Sequence, residues 1–406
     1  MADHFDALET RSADQRAADL ARALPGQIAR ARALPGYAET LAGVDPAAIT
    51  GPEALAALPV LRKSALIQAQ QEIPPFGGFT TVAPEDFDHL FQSPGPIHEP
   101  GRLNGDWWRL GRFLHACGVR KGDIVQNCFA YHLTPAGMMF ESAARALGVA
   151  VVPAGTGQTE LQVRAAAHLG VTAWAGTPDY LKIILDKADE LGLKLNITRA
   201  GVGGGALFPS LRQEYADRGI ACLQCYATAD LGNIAYESEA MDGMIVDEGV
   251  IVEIVRPGTG DPVPEGEVGE VVVTTLNPDY PLIRFATGDL SAVLPGQSPC
   301  GRTNMRIKGW MGRADQTTKI KGMFVRPEQV AELVARFPEV RRARVVATRE
   351  GEMDVMTVLI EAEGGDRAAY EGAVREILKL RGSVEIVAPG SLPNDGLVID
   401  DQRSYD

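Results

Sequence analysis

The hydrophobic and polar positions of the chain change period along its length, and the order of these periods predicts the fold class. From residue 105 onward, amphipathic segments alternate with short apolar runs. This alternation is typical of parallel strands covered by helices. The predicted strands are 123–129, 149–153, 173–176, 199–202 and 221–226. The predicted helices are 107–117, 136–147, 160–169, 178–191 and 209–218.

The flanking regions have other patterns. Segments rich in Ala, Leu and Arg predict a helical preface over about 1–75, and the Pro/Gly-rich segment 91–101 predicts a loop. Between 249 and 284, apolar runs separated by Pro and Gly predict a β-rich, more antiparallel portion. Beyond 312 the pattern predicts a small α+β unit with elements at 325–337 (helix), 343–349 and 356–361 (strands), 367–381 (helix) and 384–387 (strand).

These patterns together predict an α/β protein. We expect a large N-terminal domain of helix-covered, mostly parallel sheets plus a β-rich portion over 1–311. A small, mobile α+β C-terminal lid domain is expected over 312–406. The length of 406 residues agrees with two or three domains.

One stretch, residues 281–325, places isolated charges between apolar segments and glycines. Two short strand-like runs end in Gly288-Asp289 and in Gly312-Arg313-Ala314-Asp315. A carboxylate or guanidinium just past a strand end is well placed to bind a ligand at the rim of a sheet. Two ordinary charged turns are the alternative interpretation.

Composition narrows the class of protein. Hydrophobic residues make up 45% of the chain, yet no run approaches the ~18 apolar residues of a membrane span. The first residues lack a basic segment followed by an apolar one, so we expect no signal peptide and a cytoplasmic location. The formal net charge of -14 argues against nucleic acid as a partner, because phosphate backbones are bound by clustered Lys and Arg.

The five cysteines are odd in number and scattered, which favours a reduced compartment over a disulfide framework. Cys222 and Cys225 form a single CxxC without a second pair or a nearby histidine. Buried core thiols are therefore the favoured interpretation over zinc or redox chemistry.

Between about Leu58 and Asp401, seven segments follow one another in a recognisable order: Asn127–Tyr131, Val152–Glu160, Gly176–Tyr180, Pro281–Asp289, Pro299–Arg302, Gly312–Asp315 and Gly322–Pro327. In this order the segments resemble the phenylacetate-coenzyme A ligase family of adenylate-forming enzymes. The resemblance implies a two-step reaction. A carboxylate attacks the α-phosphate of ATP to give an acyl-adenylate and pyrophosphate, and the thiol of coenzyme A then displaces AMP.

The resemblance also implies roles for particular residues. Asp289 would accept the ribose hydroxyls, Arg313 would support the ribose or the phosphate, and Asp315 would be the hinge of the small domain. Lys321 and Gly322 would help to form the coenzyme A tunnel, although Lys321 could equally be a solvated turn lysine. The adenine would lie along Gly203, Gly204, Gly205 and Ala206. Tyr226 would stack on the adenine, with Ala227 and Thr228 beside it. Asp230 would occupy the magnesium-binding position.

A small carboxylic acid is the implied substrate, and a homodimer is a family-level expectation. The acyl pocket would involve Phe129, Tyr131, Ala154 and Gly155, with His132 orienting the carboxylate. Core packing of the two aromatic residues and a structural histidine are equally open interpretations.

Several positions depart from the family pattern. The phosphate-loop position, Ser93–Pro100, has no lysine, contains prolines that lack an N–H donor, and adds a carboxylate. The magnesium glutamate is replaced by the shorter Asp230, and Leu207 stands where a polar glutamate is usual. Leu397 stands where family members have a lysine that stabilises the adenylation transition state. One preorganised charge of this kind is typically worth ~10²–10³ in rate.

Some relatives bind a structural metal near the positions of Ser238 and Ile245, but only Cys300 of that ligand set remains, so no zinc is expected. Two functions follow from the matches and departures together. The first is an ATP-dependent ligase that joins an aromatic or other small organic acid to coenzyme A. The second is a catalytically degenerate homologue that binds a nucleotide, an acyl-CoA or a carboxylic acid as a sensor or accessory protein. Thioester formation from a preformed adenylate ranks third.

Overall fold

The computed structural model describes residues 3–314, 316–320, 323–350 and 353–403. The chain divides into two compact units. The first unit contains the residues up to Val252 together with Val273–Phe285 and Leu294–Gly309. The second unit contains Glu253–Val272, Ala286–Val293 and the residues from Trp310 onward. The predicted division into 1–311 and 312–406 stays a prediction.

The α-helices begin and end as follows: α1 Ala13–Arg32, α2 Pro52–Ala56, α3 Lys63–Glu72, α4 Gly111–Ala116, α5 Ala136–Ala146, α6 Thr159–Leu169, α7 Pro178–Glu190, α8 Pro209–Asp217, α9 Pro327–Ala335 and α10 Arg367–Leu378. Local sequence explains several of their starts. Ser12 caps α1 in a reciprocal pair with Gln15, and Pro begins α7, α8 and α9, where its missing N–H costs nothing.

The strands of the first half are β1 Leu61–Arg62, β2 His89–Ser93, β3 Ile97–Gly101, β4 Ile124–Asn127, β5 Ala150–Pro153, β6 Ala173–Gly176, β7 Arg199–Val202, β8 Ala221–Thr228, β9 Gly232–Tyr236 and β10 Met244–Val246. The later strands are β11 Val250–Val255, β12 Gly269–Thr275, β13 Phe285–Ser291, β14 Val293–Leu294, β15 Arg306–Ile307, β16 Thr318–Ile320, β17 Met323–Val325, β18 Arg342–Glu350, β19 Met353–Glu361, β20 Ser383–Val387 and β21 Ile399–Asp401.

A large mixed sheet forms the centre of the first unit, in the order β14-β15-β10-β9-β8-β7-β6-β4-β5. Strands β5, β4, β6, β7 and β8 pair in parallel, and β8, β9, β10 and β15 pair antiparallel. The middle strand β6 is buried along its whole length, as expected for a parallel strand covered by helices on both faces. The carboxyl ends of β4, β7 and β8 consequently meet at one edge of the sheet.

The second unit has its own hydrophobic core. Strands β18 to β21 form a sheet in the order β20-β19-β18-β21. Val345, Val358 and Tyr370 are fully buried there, packed with residues of α9 and α10. The strands β11, β12 and β13 belong to a further sheet of order β1-β13-β12-β11. The α/β class and the small C-terminal sheet predicted from the sequence are confirmed.

Some predicted elements are wrong in their extent. The loop expected over 91–101 is most of a hairpin, in which β2 pairs with β3 from His89↔Gly101 to Ser93↔Ile97. The strand expected over 281–284 lies further on, at Phe285–Ser291. Arg284 explains this shift, because its φ of 47° is in the left-handed region, which a β-strand cannot contain.

Helix α4 is shorter than the expected 107–117 for a similar reason. Arg109 has a φ of 62°, so the helix begins only at Gly111. At the other end of the chain, Val325 closes β17 and α9 begins at Pro327. No helix within the described residues is both long and apolar enough to cross a membrane.

Candidate active site

In the second unit, Asp289 lies inside β13 and not beyond the end of a strand. An isolated β-bridge pairs it with Arg313. The guanidinium Nη1 of Arg313 donates to Asp289 Oδ1 at 2.8 Å. Trp310 Nε1 donates to the same oxygen at 3.1 Å. The structure therefore brings together two residues that the sequence predicted, Asp289 and Arg313, and adds the indole of Trp310.

Backbone geometry holds this arrangement in place. Leu290 N donates to Gly312 O at 2.9 Å, and Ala314 N donates to Gly288 O at 2.8 Å. Gly288 has a φ of 75°, and a Cβ there would be 2.7 Å from Arg313 Nη2. Only glycine fits such an approach without strain. The Arg313 side chain is 54% exposed while that of Asp289 is 11% exposed, so the ion pair has one side open to solvent.

In the first unit, a glycine turn follows β7, with Gly203 buried and Gly204, Gly205 and Ala206 exposed. Gly204 has a φ of 70°, and a Cβ there would lie 3.8 Å from Phe129 Cε1. Gln224 Nε2 on β8 donates to Gly205 O at 2.8 Å. The sequence predicted both the turn and Phe129, and the structure places them side by side.

Phe129 also belongs to the hydrophobic core. It is 8% exposed, and its ring stacks on Phe140 with centroids 4.3 Å apart.

The predicted positions on β8 are Tyr226, which is buried, and the partly exposed Ala227 and Thr228. The register of β8 against β9 shifts between Tyr226 and Ala227. Thr228 Oγ1 accepts a hydrogen bond from Leu231 N at 3.2 Å. This bond shapes the turn that carries Asp230.

Asp230 is tied to a residue far away in the sequence. Lys63 Nζ lies 3.2 Å from Asp230 Oδ2, and the two side chains are 40% and 1% exposed. Asp230 Oδ1 is buried and has no hydrogen-bond partner within the part of the chain that the structure describes. A buried carboxylate oxygen of this kind suits a hard cation as a ligand.

Glu99 of β3 is a second buried carboxylate close to Asp230. It is 1% exposed, so its carboxyl group is almost fully removed from water. Burial, and then the charge of Asp230, raise the pKa of Glu99 to about 8, against the smaller lowering effects of Ser93 and Lys63. Buried carboxyls commonly respond to desolvation in this way.

Tyr131 and Gly155, both predicted to line an acyl pocket, are also close in space. A Cβ on Gly155 would be 3.9 Å from the Tyr131 ring. Asn127 Nδ2 donates to Tyr131 Oη at 2.8 Å, and burial raises the pKa of the Tyr131 phenol above its usual range. Gln162 Nε2 donates to the carbonyls of Ala154 and Gly155 at 3.4 and 3.0 Å. His132 is exposed to solvent.

Three predicted site residues, Asp315, Lys321 and Gly322, lie outside the described residues. The backbone N–H of Leu397 donates to Asp395 Oδ1 at 3.0 Å.

Cys300 belongs to the predicted remnant of a metal site, and its Sγ lies 3.1 Å from Ser298 Oγ. Burial is the largest single influence and raises the pKa of this thiol, but hydrogen bonds from Ser238, Ser298 and Arg302 together outweigh it, so the pKa is lowered. The described residues contain no cluster of three or more His, Cys, Asp or Glu that could hold a metal ion.

Sequence reasoning missed Lys63 and Trp310 as parts of these clusters. One signal for Lys63 was available, since a lysine is the first residue of α3, where the helix dipole disfavours a positive charge. Trp310 stands between Gly309 and Met311 in a short connection and is 52% exposed, a setting in which a tryptophan is unusual.

Comparison with known proteins found a family model and several similar proteins. Residues 128–277 match a family model described as AMP-binding enzyme. Phenylacetate-coenzyme A ligase of Thermus thermophilus is 30% identical over 337 residues, which cover 79% of this chain and 75% of that protein. Phenylacetate-coenzyme A ligase of Aromatoleum evansii is 31% identical over 304 residues, covering 71% and 68%.

Among solved structures, the chain is similar to 2-hydroxyisobutyryl-CoA ligase in the postadenylation state in complex with 2-HIB-AMP. The identity is 25% and the TM-score is 0.71, with 97% of this chain and 91% of that chain covered. An open conformation of the same ligase with 2-HIB-AMP and CoA has the same TM-score at 24% identity.

Proposed function

Because the chain belongs to the phenylacetate-coenzyme A ligase family of AMP-binding, adenylate-forming enzymes, we propose that it joins an aromatic or other small organic acid to coenzyme A. The acid would first form an acyl-adenylate with ATP, releasing pyrophosphate, and the coenzyme A thiol would then displace AMP. A related ligase of similar fold was solved with an AMP derivative of its acid, which supports the adenylate as the intermediate.

One observation carries this proposal: a single carboxylate, Asp289, is held within a strand by a guanidinium and an indole. Ribose hydroxyls are hydrogen-bond donors that a carboxylate can accept. Arg313, half exposed beside it, supplies positive charge for the ribose or for the α-phosphate, where charge develops during adenylation. ATP and its product AMP are the nucleotides that this pair would hold.

The adenine would lie along Gly203–Ala206 and against Tyr226, with Ala227 and Thr228 bordering it. The exposed backbone of the glycine turn allows a flat base to approach closely. Asp230 fits a weakly held magnesium ion, because its Oδ1 is buried without a partner among the described residues. That ion would neutralise charge on the phosphates when it is bound.

The acid would bind beside Phe129, Tyr131, Ala154 and Gly155. The closeness of Phe129 to Gly204 and of Tyr131 to Gly155 supports this assignment, because an aromatic wall suits an aromatic or small apolar acid. His132, exposed at this edge, would orient the carboxylate.

The remaining assignments rest on family resemblance. Lys321 and Gly322 would contribute to the coenzyme A tunnel, and Asp315 would be the hinge between domains 1–311 and 312–406. We also propose a cytoplasmic location and a homodimer.

A second candidate function, a degenerate homologue that binds nucleotide, acyl-CoA or acid without efficient adenylation, is favoured by two observations. The hairpin at the phosphate-loop position carries prolines and the buried Glu99 in place of a lysine. Leu397 occupies the position where the family pattern has a catalytic lysine. Both changes weaken phosphate binding and the stabilisation of charge during adenylation more than they weaken ribose binding.

Release of AMP separates the two candidates. The protein is incubated with ATP, magnesium, coenzyme A and a panel of arylacetates and benzoates. We expect acid-dependent AMP release above that of an Asp289→Ala control. If no AMP forms while AMP or acyl-CoA still binds calorimetrically, the degenerate function replaces the ligase. In that case Leu397→Lys should restore release, by up to the ~10²–10³-fold that one preorganised cation is worth.

A further inference from the structure

The hairpin formed by β2 and β3 lacks the charge that a phosphate-binding loop needs. Residues 89–101 contain no lysine or arginine. They contribute a buried carboxylate, Glu99, on the strand that faces Asp230. A triphosphate placed here would meet the negative charge of Asp230 and no positive charge from the hairpin, so a cation from another element is required for binding.

Lys63 provides such a cation from a separate helix. Its ammonium lies 3.2 Å from Asp230 Oδ2, and its side chain remains 40% exposed although Asp230 is almost fully buried. As the first residue of α3, Lys63 stands at the amino end of a ten-residue helix, where unpaired backbone N–H groups also favour anions. The cost of a lysine at this end of a helix is offset by its contact with Asp230.

Resting on the proposed function, we propose that Lys63 is the cation that contacts the β- and γ-phosphates of bound ATP. In the free protein Lys63 is paired with Asp230. With a magnesium nucleotide bound, Asp230 would hold the metal ion, and the Lys63 ammonium would contact a β- or γ-phosphate oxygen. No net charge is lost in this exchange, because each anion keeps one cationic partner.

The test measures by calorimetry the affinities of the wild type, Lys63→Met and Lys63→Arg for magnesium-ATP and for AMP. A charge-assisted contact to a phosphate is worth about 10–100-fold in affinity. We expect Lys63→Met to lose that factor for ATP while AMP affinity stays within about twofold, since AMP lacks the phosphates that Lys63 would reach. Lys63→Arg, which keeps the charge, should retain most of the ATP affinity.

The matched control is Lys182→Met. Lys182 is 42% exposed and is also ion-paired, to Asp186 and Glu214, but it lies on α7. The Lys182→Met substitution should leave the affinities for magnesium-ATP and for AMP unchanged. Equal ATP affinity in Lys63→Met and wild type, or an equal fall for ATP and AMP, overturns the assignment of Lys63. A wild type that binds neither nucleotide overturns the proposed function itself, so the two failures are distinguishable.

A second measurement needs no variant. Acetic anhydride labels exposed lysine amines, and mass spectrometry reports the labelled fraction of Lys63 and Lys182. Magnesium-ATP should protect Lys63 severalfold, AMP should not, and Lys182 should be unaffected by either. Labelling of Lys63 that is the same with and without ATP contradicts the proposal, whatever the folding of the variants.

Discussion

Glu99 shows how one buried side chain sets the electrostatics of a binding region. A carboxyl that is almost fully removed from water is costly to ionise. Asp230 nearby adds repulsion, and Lys63 only partly compensates. The neutral form of Glu99 is therefore favoured at neutral pH, and in that form the hairpin adds no negative charge opposite an anionic ligand.

The raised pKa of Glu99 predicts how stability depends on pH. Between the ordinary glutamate pKa of about 4.3 and the folded value, the folded protein keeps a proton that the unfolded chain releases. The free energy of unfolding contributed by this group therefore falls as the pH rises toward about 8. Glu99→Gln cannot ionise, so it should be more stable than the wild type at pH 9, by a few kcal/mol at most, with a smaller gain at pH 5.

Urea unfolding at the two pH values measures this difference. Glu39→Gln, at an exposed glutamate, serves as the matched control. It should leave the free energy of unfolding unchanged at both pH 5 and pH 9. If Glu99→Gln and wild type lose stability in parallel from pH 5 to pH 9, the side chain of Glu99 does not carry the proton in the folded protein.

At the scale of elements, the predicted position of strand β13 was wrong because of the backbone conformation that also places Asp289 in the candidate site. The sequence 281–291 is apolar enough to be a strand throughout, but the left-handed backbone of Arg284 delays the strand to Phe285. Asp289 is consequently inside the strand, where a β-bridge brings it to Arg313. Positive φ at a non-glycine residue is set by tertiary contacts, so no residue pattern could have predicted it.

Gly288 gives a prediction at this scale. Gly288→Ala would place a Cβ 2.7 Å from Arg313 Nη2 on a backbone with a φ of 75°. We expect a loss of ~1–3 kcal/mol in the free energy of unfolding and weaker nucleotide binding, because Arg313 must move away from Asp289. Thermal unfolding and AMP titration measure the two effects.

Gly372→Ala is the control for this substitution. Gly372 lies within α10 of the same unit, and nothing lies within 4 Å of a Cβ built there. Alanine should stabilise that helix by about 0.5–1 kcal/mol. Equal stability and AMP binding in Gly288→Ala and wild type would show that the close approach of Arg313 is not required.

At the scale of the whole molecule, the sequence predicted the α/β class, the small C-terminal sheet and the family, because these depend on periodicity and on the order of motifs. Contacts between distant segments were not predictable. Lys63 and Asp230 are 167 residues apart in sequence, and only the fold places helix α3 beside the end of β8. Trp310 likewise reaches Asp289 by a side-chain hydrogen bond that no local pattern indicates.

The central claim is that Asp289 and Arg313 form a nucleotide site in this protein. Calorimetric titration of AMP into wild type and Asp289→Asn tests it most directly. Asp242→Asn is the control, because Asp242 also pairs with an arginine, Arg306. Wild type and Asp242→Asn should bind AMP equally, and Asp289→Asn should bind about 10–100-fold more weakly. Absence of AMP binding to the wild type, or equal affinity in all three proteins, would contradict the account.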